Sequence, residues 1–284
     1  MTSSRSLRLQ VGNVEVWSLP DGYADLAGHG ATAEPGEPPI DWAPIVSRNP
    51  NAVHDAEHHW RIHNNNYLVR SQDRTILVDL GVGVGPYPRY RNMYGRLPEA
   101  MQNAGRAFEE VDTVFFTHSH PDHVAWSMVE EEDRPRFTNA RYLLHEKDWA
   151  EFTGRDPVPR YIDRFVRPLH TLGVLDLLPG ETRLTDEVTA IEAPGHTPGH
   201  MAVIIASAGE CAVISGDVFN HPLFVTEPWR TFGADLDHAQ GIETRNALLD
   251  RIEADGMRLI AEHFPEPGWG NVVRAEGKRW FQAL

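Results

Sequence analysis

Short apolar runs separated by polar turns dominate the hydrophobic pattern of this chain, and each run predicts a β-strand. Residues 14–19 alternate apolar and polar side chains, as a half-buried strand does. Residues 66–70 and 75–79 flank a polar tetrapeptide and predict a hairpin. Further strands are predicted at residues 111–117, 142–145, 188–193, 201–206, 211–216 and 258–262.

Helices are predicted between these strands, at residues 97–104, 121–131, 146–152, 158–170 and 237–254. In the last of them, Ile242, Leu249 and Ile252 keep a helical period. Asp237 is a suitable N-cap for that helix and Gly256 a suitable C-terminal stop. Two strand-rich halves with helices between their strands predict an α/β fold in which two sheets pack between helical layers. We expect residues 1–284 to form a single domain.

Residues 28–50 carry five prolines and show no clear period. The segment is predicted to be an extended loop that lines a site, docks on a second subunit or lies in solvent. Four histidines follow it closely: His54, His58, His59 and His63. They have no strand-end placement, so a polar surface loop is the favoured interpretation and a third metal site the alternative.

The most informative motif is His-Ser-His-Pro-Asp-His, which begins at His118 directly after a predicted buried strand. Imidazole nitrogens and carboxylate oxygens are good ligands for zinc and similar divalent ions. His118 and His120 are two residues apart in extended chain, so their side chains point to the same side. Pro121 suits the first position of a helix, which places Asp122 and His123 in its first turn, pointing away from the first pair. The spacing predicts that each pair binds its own ion.

Three more residues of ligand type follow predicted strands further along the chain. His196 comes after 188–193, Asp217 after 211–216 and His263 after 258–262. Polar residues at the carboxyl ends of strands are how open α/β sheets build their sites. We therefore expect these three residues to join the motif at His118.

These motifs resemble those of the metallo-β-lactamase superfamily over about residues 10–275. The resemblance is carried by His118, His120, Asp122, His123, His196, Asp217 and His263, and by Asp79 in an Asp-x-Gly turn. The sequences Ser-Gly-Asp-Val-Phe-Asn-His-Pro around Asp217 and His-Phe-Pro-Glu-Pro-Gly from His263 look like those of acyl-homoserine lactonases and methyl parathion hydrolase. The resemblance implies an αββα sandwich of two mixed β-sheets flanked by helices.

The resemblance also implies two divalent metal ions per chain, with zinc as the expected metal. The implied ligands are His118, His120 and His196 for the first ion, Asp122, His123 and His263 for the second, and Asp217 as the bridge. A hydroxide shared by the two ions would be the nucleophile, and Asp122 would also carry a proton to the leaving group. Asp79 and His200 are expected to orient ligand imidazoles. The motif lacks the glutamate typical of flavodiiron proteins at the position of His120, which favours hydrolysis over redox chemistry.

We therefore expect a dinuclear metal-dependent hydrolase of a small ester, with a lactone as the preferred substrate. Organophosphate or aryl-ester hydrolysis and a glyoxalase-II-like thioesterase are the enzymatic alternatives, and a metal-stabilised binding protein without turnover is the non-enzymatic one. Lactonases of this group commonly carry a tyrosine three residues after the bridging aspartate, where this chain has Asn220 followed by His221. These two residues are the candidates for binding the substrate carbonyl. The candidate pocket walls are Trp42, Trp60, Trp126, Trp149, Trp229 and Phe232.

Composition narrows the choice of partners. The chain has 284 residues and a formal charge of -15, from 41 acidic and 26 basic residues, without a lysine or arginine block. A nucleic-acid groove is therefore not expected. Cys211 is the single cysteine and is predicted to be a small core residue. The sequence has no long apolar run, so we expect neither a signal peptide nor a membrane-spanning segment. A cytoplasmic location is expected, and a homodimer is left open.

Overall fold

Two seven-stranded sheets form the centre of the computed structural model, which describes residues 7–26, 35–88 and 92–284. The strands of the first sheet are β1 (Arg8–Val11), β2 (Val14–Asp25), β3 (Arg61–Ser71), β4 (Arg74–Val78), β5 (Thr113–Phe115), β8 (Arg141–His145) and β9 (Leu175–Leu178). They lie side by side in that order. The pairs from β1 to β4 are antiparallel, whereas β4, β5, β8 and β9 run parallel. A separate small hairpin is formed by β6 (Met128–Val129) and β7 (Arg134–Pro135).

The second sheet contains the strands of the C-terminal half in their chain order. They are β10 (Thr182–Arg183), β11 (Val188–Glu192), β12 (Met201–Ser207), β13 (Glu210–Ile214), β14 (Arg258–Ile260), β15 (Trp269–Ala275) and β16 (Lys278–Ala283). Only the pair β13–β14 is parallel among them. Both sheets are therefore mixed, as expected for the αββα sandwich.

Three apolar layers stack through the molecule. The middle layer is made of fully buried side chains from both sheets, including Val69, Ile76, Phe115, Val203, Ile214 and Ile260. The opposite face of the first sheet packs against Leu97, Met101, Phe152 and Leu169. The opposite face of the second sheet packs against Trp42, Ile45, Leu248, Leu249 and Ile252. Each sheet thus buries both faces, one on its partner and one on helices, which is the predicted α/β architecture.

The helices are α1 (Trp42–Arg48), α2 (Leu97–Asn103), α3 (Pro121–Val124), α4 (Glu146–Thr153), α5 (Arg167–Thr171), α6 (Leu223–Thr226) and α7 (His238–Asp255). The prediction for α7 is confirmed, including its ends. Asp237 accepts a hydrogen bond from the backbone N–H of Gln240, and Gly256 takes the left-handed conformation that closes many helices. Among the described residues, none of the helices combines the length and the apolar character that a membrane span requires.

The helix predicted at 121–131 is wrong beyond residue 124. The backbone N–H groups of Ala125 and Trp126 donate to Gly81 and Leu80, the turn after β4, instead of to the preceding helical turn. The chain then enters the hairpin of β6 and β7. The helix predicted at 158–170 is interrupted as well: Ile162–Val166 is a π-helical turn before α5. Pro168 lacks the N–H that a continuous α-helix would need there.

The proline-rich segment departs in part from its prediction. Residues 28–34 lie outside the described residues. Residues 42–48 form α1, which was not expected. The helix is stabilised by Trp42 and Ile45, which lie one turn apart and are both buried. Glu37 accepts hydrogen bonds from Arg230 (3.0 Å) and from the backbone N–H of Thr231 (2.7 Å). The described part of this segment is therefore packed against the loop after α6 rather than solvated.

Candidate metal centre

Strands from both sheets end at one edge of the sandwich and deliver the candidate ligands there. The chain leaves β5 at Phe115 and reaches His118 three residues later. In the second sheet, Asp217 follows β13 and His263 follows β14, the parallel pair. His196 follows β11 through a turn at Gly195, where a Cβ atom would lie 2.4 Å from the Cα of Gly241. Only glycine allows that close approach to α7.

The first group of ligand atoms comes from His118, His120, His196 and Asp217. Nδ1 of His120 lies 3.0 Å from Nε2 of His118 and 2.9 Å from Nε2 of His196. Nε2 of His196 lies 3.1 Å from Oδ2 of Asp217. Three imidazole nitrogens at such short distances form a compact set of donor atoms that a single ion can satisfy.

The second group comes from Asp122, His123 and His263, which are all buried. Oδ2 of Asp122 lies 3.8 Å from Nε2 of His263 and 4.0 Å from Nε2 of His123. These distances are too long for hydrogen bonds and leave room for an ion between the three side chains. The spacing of the motif predicts that Asp122 and His123 point away from the first pair, but His123 stays next to His118, with 4.0 Å between their ring centroids.

Asp217 lies between the two groups and offers one oxygen to each. Its Oδ2 faces His196, whereas its Oδ1 lies 3.3 Å from Nε2 of His123 and 3.1 Å from Nε2 of His263. Burial raises the pKa of this carboxyl, but the surrounding histidines His263, His123 and His196 outweigh it and hold the pKa well below its usual range. Asp217 is therefore an anion in the position of a bridging ligand.

The hydrogen bonds of the histidines test whether the centre fits metal ions. Nδ1 of His123 lies 2.8 Å from the Asp79 carboxylate, Nδ1 of His196 lies 3.0 Å from the Asp235 carboxylate, and Nδ1 of His263 lies 2.7 Å from the carbonyl oxygen of His63. Because these oxygens can only accept, each Nδ1 carries the proton, and the lone pair of Nε2 is directed into the centre. The donor set therefore fits zinc or a similar divalent ion.

His118 is oriented in the same way through Thr117. The Thr117 hydroxyl donates to Asp79 (2.7 Å), so its oxygen accepts from Nδ1 of His118 (3.0 Å). Burial lowers the pKa values of both His118 and His120 well below their ordinary value, which favours the neutral, ligating form. Burial also lowers the pKa of His196, but the carboxylates of Asp217 and Asp235 outweigh it and raise that pKa to about 9. Protons therefore compete with a metal ion for Nε2 of His196.

Asp79 hydrogen-bonds a candidate ligand imidazole as expected, whereas His200 meets His118 and His196 only through ring contacts and makes its hydrogen bonds to the backbone. Nε2 of His200 accepts the backbone N–H of Asp217 (2.9 Å), and its Nδ1 donates to the carbonyl of Ala193 (3.0 Å). Burial lowers the pKa of His200 to about 3, so it stays neutral in this arrangement. His200 thus holds the backbone of the bridging residue.

Asn220 and His221, the candidates for the substrate carbonyl, lie in different surroundings. The Asn220 amide donates to Oδ2 of Asp217 at 2.7 Å. His221 is buried with both ring nitrogens engaged: Nδ1 accepts the N–H of Leu223 (3.1 Å) and Nε2 donates to the carbonyl of Ala52 (3.0 Å). Burial lowers the pKa of His221 to about 3. Asn220 therefore contacts the centre, and His221 ties two loops together.

Only part of the predicted aromatic wall lies at the centre. Phe232 stacks on His196 with 5.9 Å between ring centroids, and Trp60 stacks on Phe232 at 6.0 Å and on His221 at 4.6 Å. Trp42 meets His221 edge-on. The other three tryptophans lie elsewhere: Trp126 donates to the buried Asp21, Trp149 stacks on His170, and Trp229 is 44% exposed.

Three residues at the centre were not predicted from the sequence. Asp235 supports His196, and Phe152 meets His120 edge-on at 5.4 Å. Asp148 accepts the backbone N–H of Ser119 at one oxygen and that of Gly199 at the other, both at 2.8 Å. Asp148 and Phe152 belong to a predicted helix and Asp235 to a loop. No ligand spacing or strand end marked any of them.

Comparison with known proteins identifies relatives of this fold. The family model described as the metallo-β-lactamase superfamily matches residues 60–263. The solved structure of AidC, a dizinc quorum-quenching lactonase in complex with the product N-hexanoyl-L-homoserine, is 23% identical with a TM-score of 0.77, covering 98% of this chain and 97% of AidC. The hydrolase AbOPH of the β-lactamase superfamily is 23% identical with a TM-score of 0.81, covering 100% and 99%.

A probable metal-dependent hydrolase from Staphylococcus aureus is 19% identical with a TM-score of 0.73, covering 90% of this chain and 91% of its own. At these identities the likeness to solved structures shows the fold alone. No curated protein sequence matches the chain significantly.

Proposed function

The chain belongs to the metallo-β-lactamase superfamily and is a metal-dependent hydrolase, and we propose that it opens a small neutral lactone at a dinuclear centre. The observation that carries the proposal is the position of Asp217. One of its oxygens faces the first group of ligands and the other faces the second group. A carboxylate shared in this way suits two ions close together, and zinc is the proposed metal.

The proposed ligands of the first ion are His118, His120 and His196, those of the second are Asp122, His123 and His263, and Asp217 is the bridge. When bound, two such ions activate water as a nucleophile and polarise the ester carbonyl. The chain contributes by holding the ligating imidazoles in place, because an oxygen atom accepts a hydrogen bond from Nδ1 of each of four histidines. Because Asp148 binds the loops of both Ser119 and Gly199, it keeps His118 and His120 in register with His196.

Asp122 is the proposed proton carrier. It lies in the first turn of α3, close to His123 and His263 but beyond hydrogen-bonding distance from both. When the ring opens, the leaving alkoxide must take up a proton; the Asp122 carboxylate can accept it from the attacking water and pass it on to the alkoxide. Asn220 is the proposed partner of Asp217, which it fixes by donating to Oδ2.

The surroundings support a neutral substrate with an apolar part. Phe232 stacks on His196 and Trp60 stacks on Phe232, which gives the centre an apolar aromatic side. The chain carries a formal charge of -15, which repels anionic substrates. AidC is a dizinc lactonase of this fold. We therefore propose N-acyl homoserine lactones as the first substrates to examine, and His221 as a residue that supports the wall.

The test is a substrate panel measured with the zinc-loaded protein. We expect the highest kcat/KM for an N-acyl homoserine lactone among lactones, phosphotriesters, aryl esters and thioesters. Asp122→Asn keeps the size of the side chain and should lower lactone turnover by about 10²–10⁴-fold, with an unchanged circular dichroism spectrum. A clear preference for a phosphotriester, aryl ester or thioester would replace the lactone in the proposal.

A further inference from the structure

We propose that His54, Asp55 and His59 form a further divalent-cation site, separate from the metal centre, which binds Zn²⁺ through two imidazole nitrogens and one carboxylate oxygen. The ligand atoms of the three side chains lie within 4.8 Å of one another. A single oxygen, Oδ2 of Asp55, lies 3.3 Å from Nδ1 of His54 and 2.8 Å from Nδ1 of His59. Two imidazoles and a carboxylate are a donor set that zinc takes.

A short hairpin brings these residues together. Val53 and Trp60 pair as an antiparallel bridge, and the backbone N–H of His54 donates to the carbonyl of His59 at 3.0 Å. The backbone N–H of His59 donates to Oδ1 of Asp55 at 3.0 Å. The backbone thus holds one carboxylate oxygen, which leaves Oδ2 directed at both imidazoles. The hydrogen bonds of the hairpin itself hold the three donor groups close together, which limits the ordering that ion binding requires.

The distances suit a tetrahedral ion. In a zinc site with bonds of about 2.0–2.1 Å, neighbouring ligand atoms lie roughly 3.3 Å apart. The contact between His54 and Asp55 already has this length, and the one between His59 and Asp55 would lengthen by about 0.5 Å. The three side chains are 12%, 27% and 24% exposed for His54, Asp55 and His59. Solvent can therefore supply the ion and a water molecule as fourth ligand.

The two other histidines nearby have different partners. His58 stacks its ring on Trp42, with centroids 5.4 Å apart and planes 10° apart. His63 is buried and places its Nε2 3.1 Å from the carbonyl oxygen of Asn51. The fold thus selects two histidines of the four and adds Asp55, which the sequence did not single out. It also makes His58 a matched control on the same hairpin.

An ion at this hairpin would fix the wall of the metal centre. Trp60 directly follows His59 and stacks on both His221 and Phe232. Phe232 in turn stacks on the ligand His196. Because the backbone of the hairpin carries Trp60, fastening its two ends together restricts the position of this aromatic wall. The site would therefore have a structural role next to the metal centre.

Zinc content is the direct test. The parent, the double variant His54→Gln/His59→Gln and the control His58→Gln are dialysed to equilibrium against micromolar free zinc, and zinc per chain is measured by elemental analysis. We expect the double variant to hold one zinc ion fewer than the parent, and His58→Gln to hold the same number. Because the result is a difference between variants, it does not depend on how many ions the metal centre holds.

Equal zinc content in the parent and the double variant would overturn the site, as would a difference that appears only at millimolar zinc. In that case Asp55 serves only to cap the turn. Circular dichroism checks that the double variant is folded. If it is not, the single variants His54→Gln and His59→Gln replace it, and each is expected to lose the same ion at micromolar zinc.

Discussion

At the residue scale, the centre depends on which ring nitrogen of each histidine keeps a lone pair available for a metal ion. His123, His196 and His263 each place Nδ1 against an oxygen from a different part of the chain. Their acceptors are a carboxylate after β4, a carboxylate before α7 and a backbone carbonyl in β3. Each acceptor fixes both the tautomer and the plane of its ring, and thereby directs the Nε2 lone pair into the centre.

Asn220 and His221 are adjacent in sequence but should respond differently to truncation. Asn220→Ala removes the donor to Asp217 and should cost about 1–3 kcal/mol, which is roughly a 5- to 150-fold fall in kcat/KM for the best lactone. His221→Ala should act on stability, because it leaves a cavity beneath Trp60 and an unpaired carbonyl at Ala52. Steady-state kinetics and thermal unfolding of the two variants separate these effects.

The pH profile provides the control for this pair. Burial lowers the pKa of His221 to about 3, so His221 is neutral throughout the neutral range. The parent and His221→Ala should therefore show the same pH dependence of kcat/KM around neutrality. An imidazole titration that disappears in His221→Ala would assign a substrate contact to His221 in place of its structural role.

At the element scale, strands and helices anchor the centre, and the loops that follow them carry its histidine and aspartate side chains. β5 has three residues, yet it places Thr117 and His118 at the sheet edge, because Asp79 accepts the N–H of Thr117 at 2.8 Å. Asp148, in the first turn of α4, holds the loops that carry His120 and His196. The elements themselves supply rigid anchors, and the loops between them supply the ligands.

The segment before α7 connects the second sheet to the centre. Asp235 faces Nδ1 of His196 with one oxygen and lies 3.2 Å from the buried Arg245 guanidinium with the other. Arg245 also donates to the carbonyls of Val218, Pro228 and Arg230. One arginine on the helix thus fixes the loop that carries Asp235, and through it the orientation of His196.

Asp235→Asn should therefore weaken metal binding by about 10- to 100-fold, as changes to the partners of ligating histidines commonly do. The matched control is Asp237→Asn, two residues away at the N-cap of α7, where asparagine caps equally well. Competition with a chromophoric zinc chelator measures the affinity of each variant. Parent-like affinity in Asp235→Asn would show that His196 is held in place without this carboxylate.

At the scale of the whole molecule, the centre joins the two halves of the sandwich. His118, His120, Asp122 and His123 come from the first sheet's half of the chain, whereas His196, Asp217 and His263 come from the second. Apolar contacts between the sheets already hold the halves together. Metal ions bound by the proposed ligands would add bonds across the same boundary.

Metal removal should therefore lower thermal stability without abolishing the fold. One ion present at a thousandfold excess over its Kd contributes about 4 kcal/mol, so chelation should lower Tm by on the order of 10 °C. Differential scanning calorimetry before and after dialysis against a chelator measures the shift, and added zinc should reverse it. An unchanged Tm would mean that the centre contributes nothing to the stability of the folded state.

The sequence by itself determined nine of the strands that the structure describes, both ends of α7 and the residue types able to bind metal, whereas the long edge hairpin of β15 and β16 was not predicted. These features depend on local chemistry: the spacing of apolar side chains, the N-cap of Asp237, and glycine at the left-handed position 256. The resemblance to the metallo-β-lactamase superfamily is confirmed by the match over residues 60–263. It also gave the αββα arrangement that the two sheets show.

Only the tertiary structure decided which other side chains meet the ligands. Asp235, Asp148 and Phe152 lie far along the chain from some of the residues that they contact, and no local spacing links them. The same holds for the helix that stops at Val124, because its next N–H groups are taken by the turn after β4. Local sequence sets the conformational preferences of a segment, whereas contacts between distant segments decide which hydrogen bonds are formed.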